Sequence, residues 1–420
     1  MAAPGTNRAN SEKLLKQVYA KSMRRLYPIH SLLLQTLQPR TKAVKQGEKF
    51  TVKLNNGAGS GIMWSSAGNL GPASFEIYDE ATFKYAWATA RVEFSEDFLQ
   101  DAGSPESAAA QPLPAELKSV VANSRHDISF DLYRDGSGLL SDLDASPGAT
   151  ATTFKVANTI GLRKNQWLDL VLKSSGAVGA GGLKSFRIAV NHTTKVVTIL
   201  DGKTLGDATG ADVNANPTLY GVYRMGSRND AVFGLGAMVS DANPPTGVAL
   251  YGGIDRSVDT NAFWNAVVHA NGGTLRVPSM KLMQDVIDQI GSFSSGHTTI
   301  IICGLQVLSY LKEKLLLTKR YAGETMMLRG WAKGVQFADM NAPIVADPLC
   351  PADKMYFLDE EAINLHQNDD GHWTDKDGAI LARLADRIAY QASWSRRLQL
   401  TTDNPAAHGV LADLKYDTPS

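Results

Sequence analysis

The chain has 420 residues and a mass of 45.2 kDa, long enough that two or three packed units are expected rather than one. Hydrophobic residues are 44% and charged residues 20%, which supplies a core and excludes a disordered polymer. Lys plus Arg and Asp plus Glu both number 42, so the net charge is zero and a surface that coats nucleic acid all over is excluded.

That zero hides a split along the chain. Residues 1–45 hold Arg8, Lys13, Lys16, Lys21, Arg24, Arg25, Arg40, Lys42 and Lys45 against Glu12 alone, a net +8 (nine minus one) that the remainder balances. The opening MAAPGTNRANSEK shows no apolar signal segment. Leu15, Tyr19, Met23 and Leu26 recur at helical spacing, so a helix is expected over about 11–27, capped by Asn10 or Ser11 and ended by Pro28. Two readings of this arm stand. One is an ordinary amphipathic helix on a globular body; the other is an arm that packs on a neighbouring subunit and turns its basic face to a polyanion.

From Phe50 the period shortens to two. Phe50, Val52 and Leu54 alternate with polar residues, and so do Phe83, Tyr85 and Trp87, which predicts a long hairpin. Its tip over 57–71 is glycine-rich around Met63 and Trp64. A lone hairpin is marginal in water, so it is expected to lean on something outside its own unit. Residues 103–114 read as a linker. After Pro114 the stripe Leu117, Val121, Ile128, Leu132 predicts a helix of about 20 residues, stopped at Asp135-Gly136. Residues 150–225 return to strand patterns, with a turn at Asp201-Gly202.

Met280, Met283, Val286, Ile287 and Ile290 share one helical face, with Gly291 as the expected C-terminal stop. Thr298 to Cys303 reads as a buried strand, and Leu305, Leu308, Leu311 and Leu315 as a further helix. The apolar run from Ile300 to Leu311 is too short to cross a bilayer, so no membrane partner is expected. Strands are expected again at Val335 and Phe337, Met355–Leu358 and Ile380–Leu384. Two cysteines, Cys303 and Cys350, make no disulfide framework and suggest a reducing, intracellular folding compartment.

A search for chemistry returns little. There is no GxSxG elbow, P-loop, HExxH or CxxC. Gly57, Gly59 and Gly61 lack the following helix that would hold a phosphate. Asp369, Asp370, Asp375 and Asp377 near His366 and His372 match no calcium loop, and two lone cysteines make no zinc set. Cys303, inside an isoleucine run, reads as an inert buried thiol. No enzyme, cofactor or metal is expected.

The order of these elements resembles the major capsid proteins of tailed bacteriophages, whose Hong Kong-phage-type fold is shared with encapsulins. The segments that carry the likeness are Asp131-Leu132-Tyr133-Arg134-Asp135-Gly136-Ser137-Gly138, Leu250-Tyr251-Gly252-Gly253-Ile254-Asp255-Arg256, Tyr356-Phe357-Leu358-Asp359, and the tail from Trp373-Thr374-Asp375 to Asn404-Pro405-Ala406-Ala407-His408-Gly409. The resemblance implies an α+β fold in six parts. They are an N-terminal arm (1–46), an extended hairpin loop (47–97), the first part of a peripheral domain with a long spine helix (98–149), a β-rich insertion (150–228), an axial α/β domain (229–330), and closing peripheral strands (331–420). It further implies a shell built from copies of the chain in pentamers and hexamers around a double-stranded DNA genome. A portal protein, a separate scaffolding protein and, where one is used, a decoration protein would be partners. The basic arm would meet packaged DNA, an acidic scaffold or a neighbouring subunit. Contact residues between subunits would include Leu15, Tyr19, Arg24, Arg25, Met63, Trp64, Trp87, Leu250 and Tyr251. Some relatives lock their shells with Lys–Asn isopeptide bonds, and no position here can be matched to that chemistry. The nearest rival is an encapsulin-like nanocompartment; a carbohydrate-active β protein using 150–225 is a remote third.

Overall fold

Sheets formed by segments far apart in sequence organise the chain. The computed structural model describes residues 49–57, 77–96, 112–144, 151–177, 185–205, 217–294, 296–317, 342–367, 371–375, 380–384 and 388–416, with positions 33, 37, 39–40, 64 and 335–336 between them. The helix expected over 11–27, the linker and most of the hairpin tip lie outside the described residues.

Strands Lys49–Gly57 and Ile77–Lys84 form the expected antiparallel hairpin, with Phe50 opposite Phe83. Nine residues at about 3.4 Å each give it a reach of roughly 30 Å. Beyond Tyr85 the chain re-enters as Ala86–Ser95 and changes partner. It now runs antiparallel to the fourteen-residue strand Ala389–Thr402, from Leu398 opposite Ala86 to Ala389 opposite Ser95. Trp87 therefore belongs to this long sheet and not to the hairpin, a correction to the alternation that groups it with Phe83. Alternation reports which face a residue is on and carries no information about the strand beside it.

Helix α1 (Pro112–Asp131) is the predicted twenty-residue helix. Its prolines sit in the first turn, where the missing N–H groups have no helical partner anyway. Leu117, Val121, Ile128 and the following Leu132 are buried against the long sheet. The helix ends at Asp131, four residues before the stop expected at Asp135-Gly136; Gly136 and Gly138 follow in the turn with φ of +85° and +74°, a backbone open to glycine and strained for other residues.

The β-rich insertion is a six-stranded antiparallel sheet in the order Leu139–Asp142, Tyr220–Arg224, Trp167–Leu172, Ser185–Asn191, Val196–Ile199, Thr153–Lys155. Leu168, Leu170, Phe186, Ile188, Val197 and Val222 pack around Phe130 of α1. The sheet takes its edge from Leu139–Asp142, so it begins before the expected boundary at 150.

A third sheet runs Val267–His269, Gly409–Leu411, Met355–Leu358, Ile300–Cys303, Pro343–Ala346, Val335–Gln336. Ile301 and Cys303 face helices α2 (Met280–Phe293) and α3 (Leu305–Leu317), while Ile300 and Ile302 face the main core. Burial on both faces accounts for a strand without a polar residue. Here the boundary expected at 330 needs correction. Residues 343–346, 355–358 and 409–411 join the α/β sheet rather than the long one. In turn, residues 229–266 pack with α1 and the long sheet: Leu235 N donates to Leu132 O at 2.7 Å, and Phe233 N to Gln399 Oε1 at 2.9 Å. A second correction concerns α2, which runs through Gly291 to Phe293 and ends where Ser294 N reaches Ile290 O. Gly291 is exposed with nothing beside it, so nothing stops the helix there.

Candidate assembly surfaces

The expected contact residues separate into three groups. Leu15, Tyr19, Arg24, Arg25 and Met63 lie outside the described residues. Trp64, on the hairpin tip, is 92% exposed, and Trp87 is 59% exposed beneath the Arg397 guanidinium at 4.5 Å. Leu250 sits at the surface, half covered. Tyr251 is the correction: it is wholly buried within its own chain, ringed by Phe83, Phe233 and Trp264 at centroid distances of 5.0, 5.5 and 5.8 Å. It fixes the hairpin base to the main core and offers no face to a second molecule. The Gly252-Gly253 turn beside it has φ of +68° and +76°, and a Cβ on Gly252 would fall 2.9 Å from Ala81. That motif is a packing device.

Between the long sheet, α1 and the insertion runs an open groove of roughly 570 Å³. Ala86, Ala88, Ala90 and Leu398 contribute to its apolar lining, with Trp167 and Met225 exposed along it. One side is ionic. Arg224 holds Asp131 at 2.6 Å and Asp127 at 3.5 Å, and Arg163 is hydrogen-bonded to Asp127. Burial alone would raise the Asp127 carboxyl; the His126 ring, Arg224 and Arg163 outweigh it and hold it below the ordinary carboxylate value. The charges are committed to one another, so the groove braces the insertion on α1. Among the described residues no three His, Cys, Asp or Glu side chains converge as a metal set.

Sequence reasoning missed a second exposed apolar site at the end of the α/β sheet. Leu275 and Val277 are exposed on the turn before α2. The turn is rigid because Asp413 Oδ2 accepts from Asn271 N at 2.6 Å and Gly273 N at 3.0 Å, and these bonds hold its carboxyl below the usual range. Arg276 clamps His269 O from the other side. The available signal was two apolar residues flanking Arg276 between Gly272-Gly273 and Pro278, where no helical or strand period assigns them to a core.

The arrangement of long sheet, α1, hairpin and α/β sheet has a solved counterpart. The capsid asymmetric unit of cyanophage A-1(L) superimposes with a TM-score of 0.55 at 13% identity, covering 93% of this chain and 94% of that one. The chain has the Hong Kong-phage-type capsid fold. Two further structures with this fold match at lower scores. The capsid of the native GTA particle has a TM-score of 0.46, 10% identity, and coverage of 93% and 92%. The SrpI encapsulin of Synechococcus elongatus PCC 7942 has 0.42, 9% identity, and coverage of 94% and 92%. No protein-family model and no curated protein sequence matches the chain.

Proposed function

We propose that the chain is the major capsid protein of a tailed double-stranded DNA bacteriophage, assembling with copies of itself into the pentamers and hexamers of an icosahedral shell. The observation that carries this reading is the end-to-end fold match to a cyanophage capsid asymmetric unit, with more than nine-tenths of both chains superimposed. A nearly naked tryptophan on the tip of a 30 Å hairpin supports it. Trp64 costs solubility in a monomer and becomes an anchor only against another molecule. The shell would assemble in the host bacterial cytoplasm on a separate scaffolding protein, with a portal at one vertex, and the protein would reside in the virion without catalysing a reaction. The basic segment over residues 1–45 would meet DNA, scaffold or a neighbouring subunit.

The test is size-exclusion chromatography with negative-stain microscopy of the full chain, alone and with the phage's scaffolding protein. Capsomers or closed shells are expected, and packaged DNA rather than an enzyme cargo separates a virion from a nanocompartment. Trp64→Ala should leave the fold intact and reduce shell yield by roughly tenfold or more, the scale of losing one apolar anchor. A chain that stays monomeric under every assembly condition sinks the proposal.

A further inference from the structure

The α/β sheet and the long sheet are joined by two crossovers near the C-terminus. One runs from Leu358 to Ile363, the other from Thr402 to Gly409. A buried imidazole ties them together, beside the Asp403 N to Ala362 O hydrogen bond at 3.3 Å. His408, fully buried in the second crossover, accepts a hydrogen bond at Nδ1 from Asp359 N in the first at 3.2 Å. Its Nε2 lies 3.0 Å from Thr402 Oγ1 at the end of the long strand. Its own carbonyl receives Val267 N at 3.0 Å, which anchors the edge strand of the α/β sheet.

Because a backbone N–H points at Nδ1, that nitrogen carries no proton. The ring is therefore the neutral Nε2–H tautomer, donating to Thr402 Oγ1. We propose that His408 is an acid-released clasp at the hinge between the two sheets. A proton added at Nδ1 sets N–H against the N–H of Asp359, breaks this tie and loosens the joint between the crossovers, while the apolar core keeps the two sheets packed. Asp359 faces the ring from the first crossover and favours the charged form. Its carboxylate is held in place by His297 N at 3.2 Å and Glu361 N at 3.0 Å. Asp403 follows Thr402 and binds Asn364 Nδ2 at 3.0 Å. From α2 the joint meets Val286 and Ile290, both apolar. Burial outweighs Asp359 and holds the ring down to about 4, so the clasp stays shut at neutral pH. This inference stands apart from the shell proposal, since it concerns a hinge within one chain.

Hydrogen exchange of the full chain between pH 7 and 4, corrected for the intrinsic pH dependence of exchange, tests it. Amides of 359–362 and 403–410 should lose protection by about tenfold per unit below pH 6, while those of the insertion at 185–199 keep theirs. In His408→Asn, whose Oδ1 takes the place of Nδ1 and cannot be protonated, that pH slope should vanish. The same slope in the variant, or loss of protection in all segments together, overturns the proposal. Should the variant fail to fold, ring 15N shifts of the wild-type chain decide. An Nε2–H tautomer that resists protonation below pH 5 supports the clasp, and a ring that charges above pH 6 overturns it.

Discussion

Arg224 on the insertion's last strand reaches Asp131 on the final residue of α1, with Nη1 2.6 Å from Oδ2. Both side chains are largely shielded, at 16% and 13% exposure. Removing one partner strands a charge in a dry joint, which costs about 3–5 kcal/mol, whereas removing both can be close to neutral. Arg224→Met and Asp131→Asn should each lower unfolding stability by that amount in denaturant titrations. The double variant Asp131→Leu with Arg224→Met should recover most of it. Additive losses in the double variant would show that the pair is not the joint.

Two glycines predict opposite signs. Gly234 lies against the end of α1, and a Cβ there would stand 2.4 Å from the carbonyl carbon and oxygen of Leu132. Backbone on both sides cannot yield cheaply, so Gly234→Ala should destabilise by about 2–3 kcal/mol. Gly291, helical and open, should tolerate alanine with a gain of about 0.5–1 kcal/mol from reduced backbone freedom in the unfolded chain. Thermal unfolding of the two variants side by side reads the difference.

The contrast between these glycines marks what a sequence carries. Gly136 and Gly138 were legible as a turn beyond α1, though the helix itself stops earlier at Asp131, because positive φ is a local demand that leaves glycine behind. Ile300–Cys303 was legible because a strand buried on both faces has no polar residue. The change of partner at Tyr85 was not, since a strand keeps its period of two whichever neighbour it has. Nor was the pairing of Val267 with Gly409, which is parallel and spans most of the distance to the C-terminus, leaving no turn or motif as a sign. The same limit governs the contact residues. Apolarity picked out Leu250 and Tyr251 together, and only the packing of Phe83, Phe233 and Trp264 places Tyr251 inside.

Cys303 and Cys350 are both buried, and burial pushes the Cys303 thiol up to about 12 and that of Cys350 well above its ordinary value. The thiolate is the reactive form, so neither should react at pH 8 in the folded protein. A thiol-reactive chromophore should label neither cysteine over hours in native buffer and both within minutes in denaturant. Rapid native labelling of either would mean that the α/β sheet opens locally.

Arg256 closes the Leu250–Arg256 motif in an unusual way, as a buried cation whose direct partners are carbonyls. Nη1 donates to Ala237 O at 2.6 Å, Nη2 to Met238 O at 3.1 Å and Nε to Trp264 O at 3.0 Å, with the Tyr251 ring 5.1 Å from the guanidinium carbon. Burial draws its pKa down to about 10, which still leaves it charged at neutral pH. Nη1 also reaches Ala242 O at 3.3 Å, and a three-proton ammonium on a flexible stem cannot satisfy the same four carbonyls. Arg256→Lys should therefore cost about 1–3 kcal/mol, the scale of leaving a buried acceptor unpaired. Arg256→Met, which removes every one of these donors, should cost more. Denaturant titration gives the order. If lysine proves equal to wild type, charge alone holds the loop over 237–264 and the fork geometry is incidental.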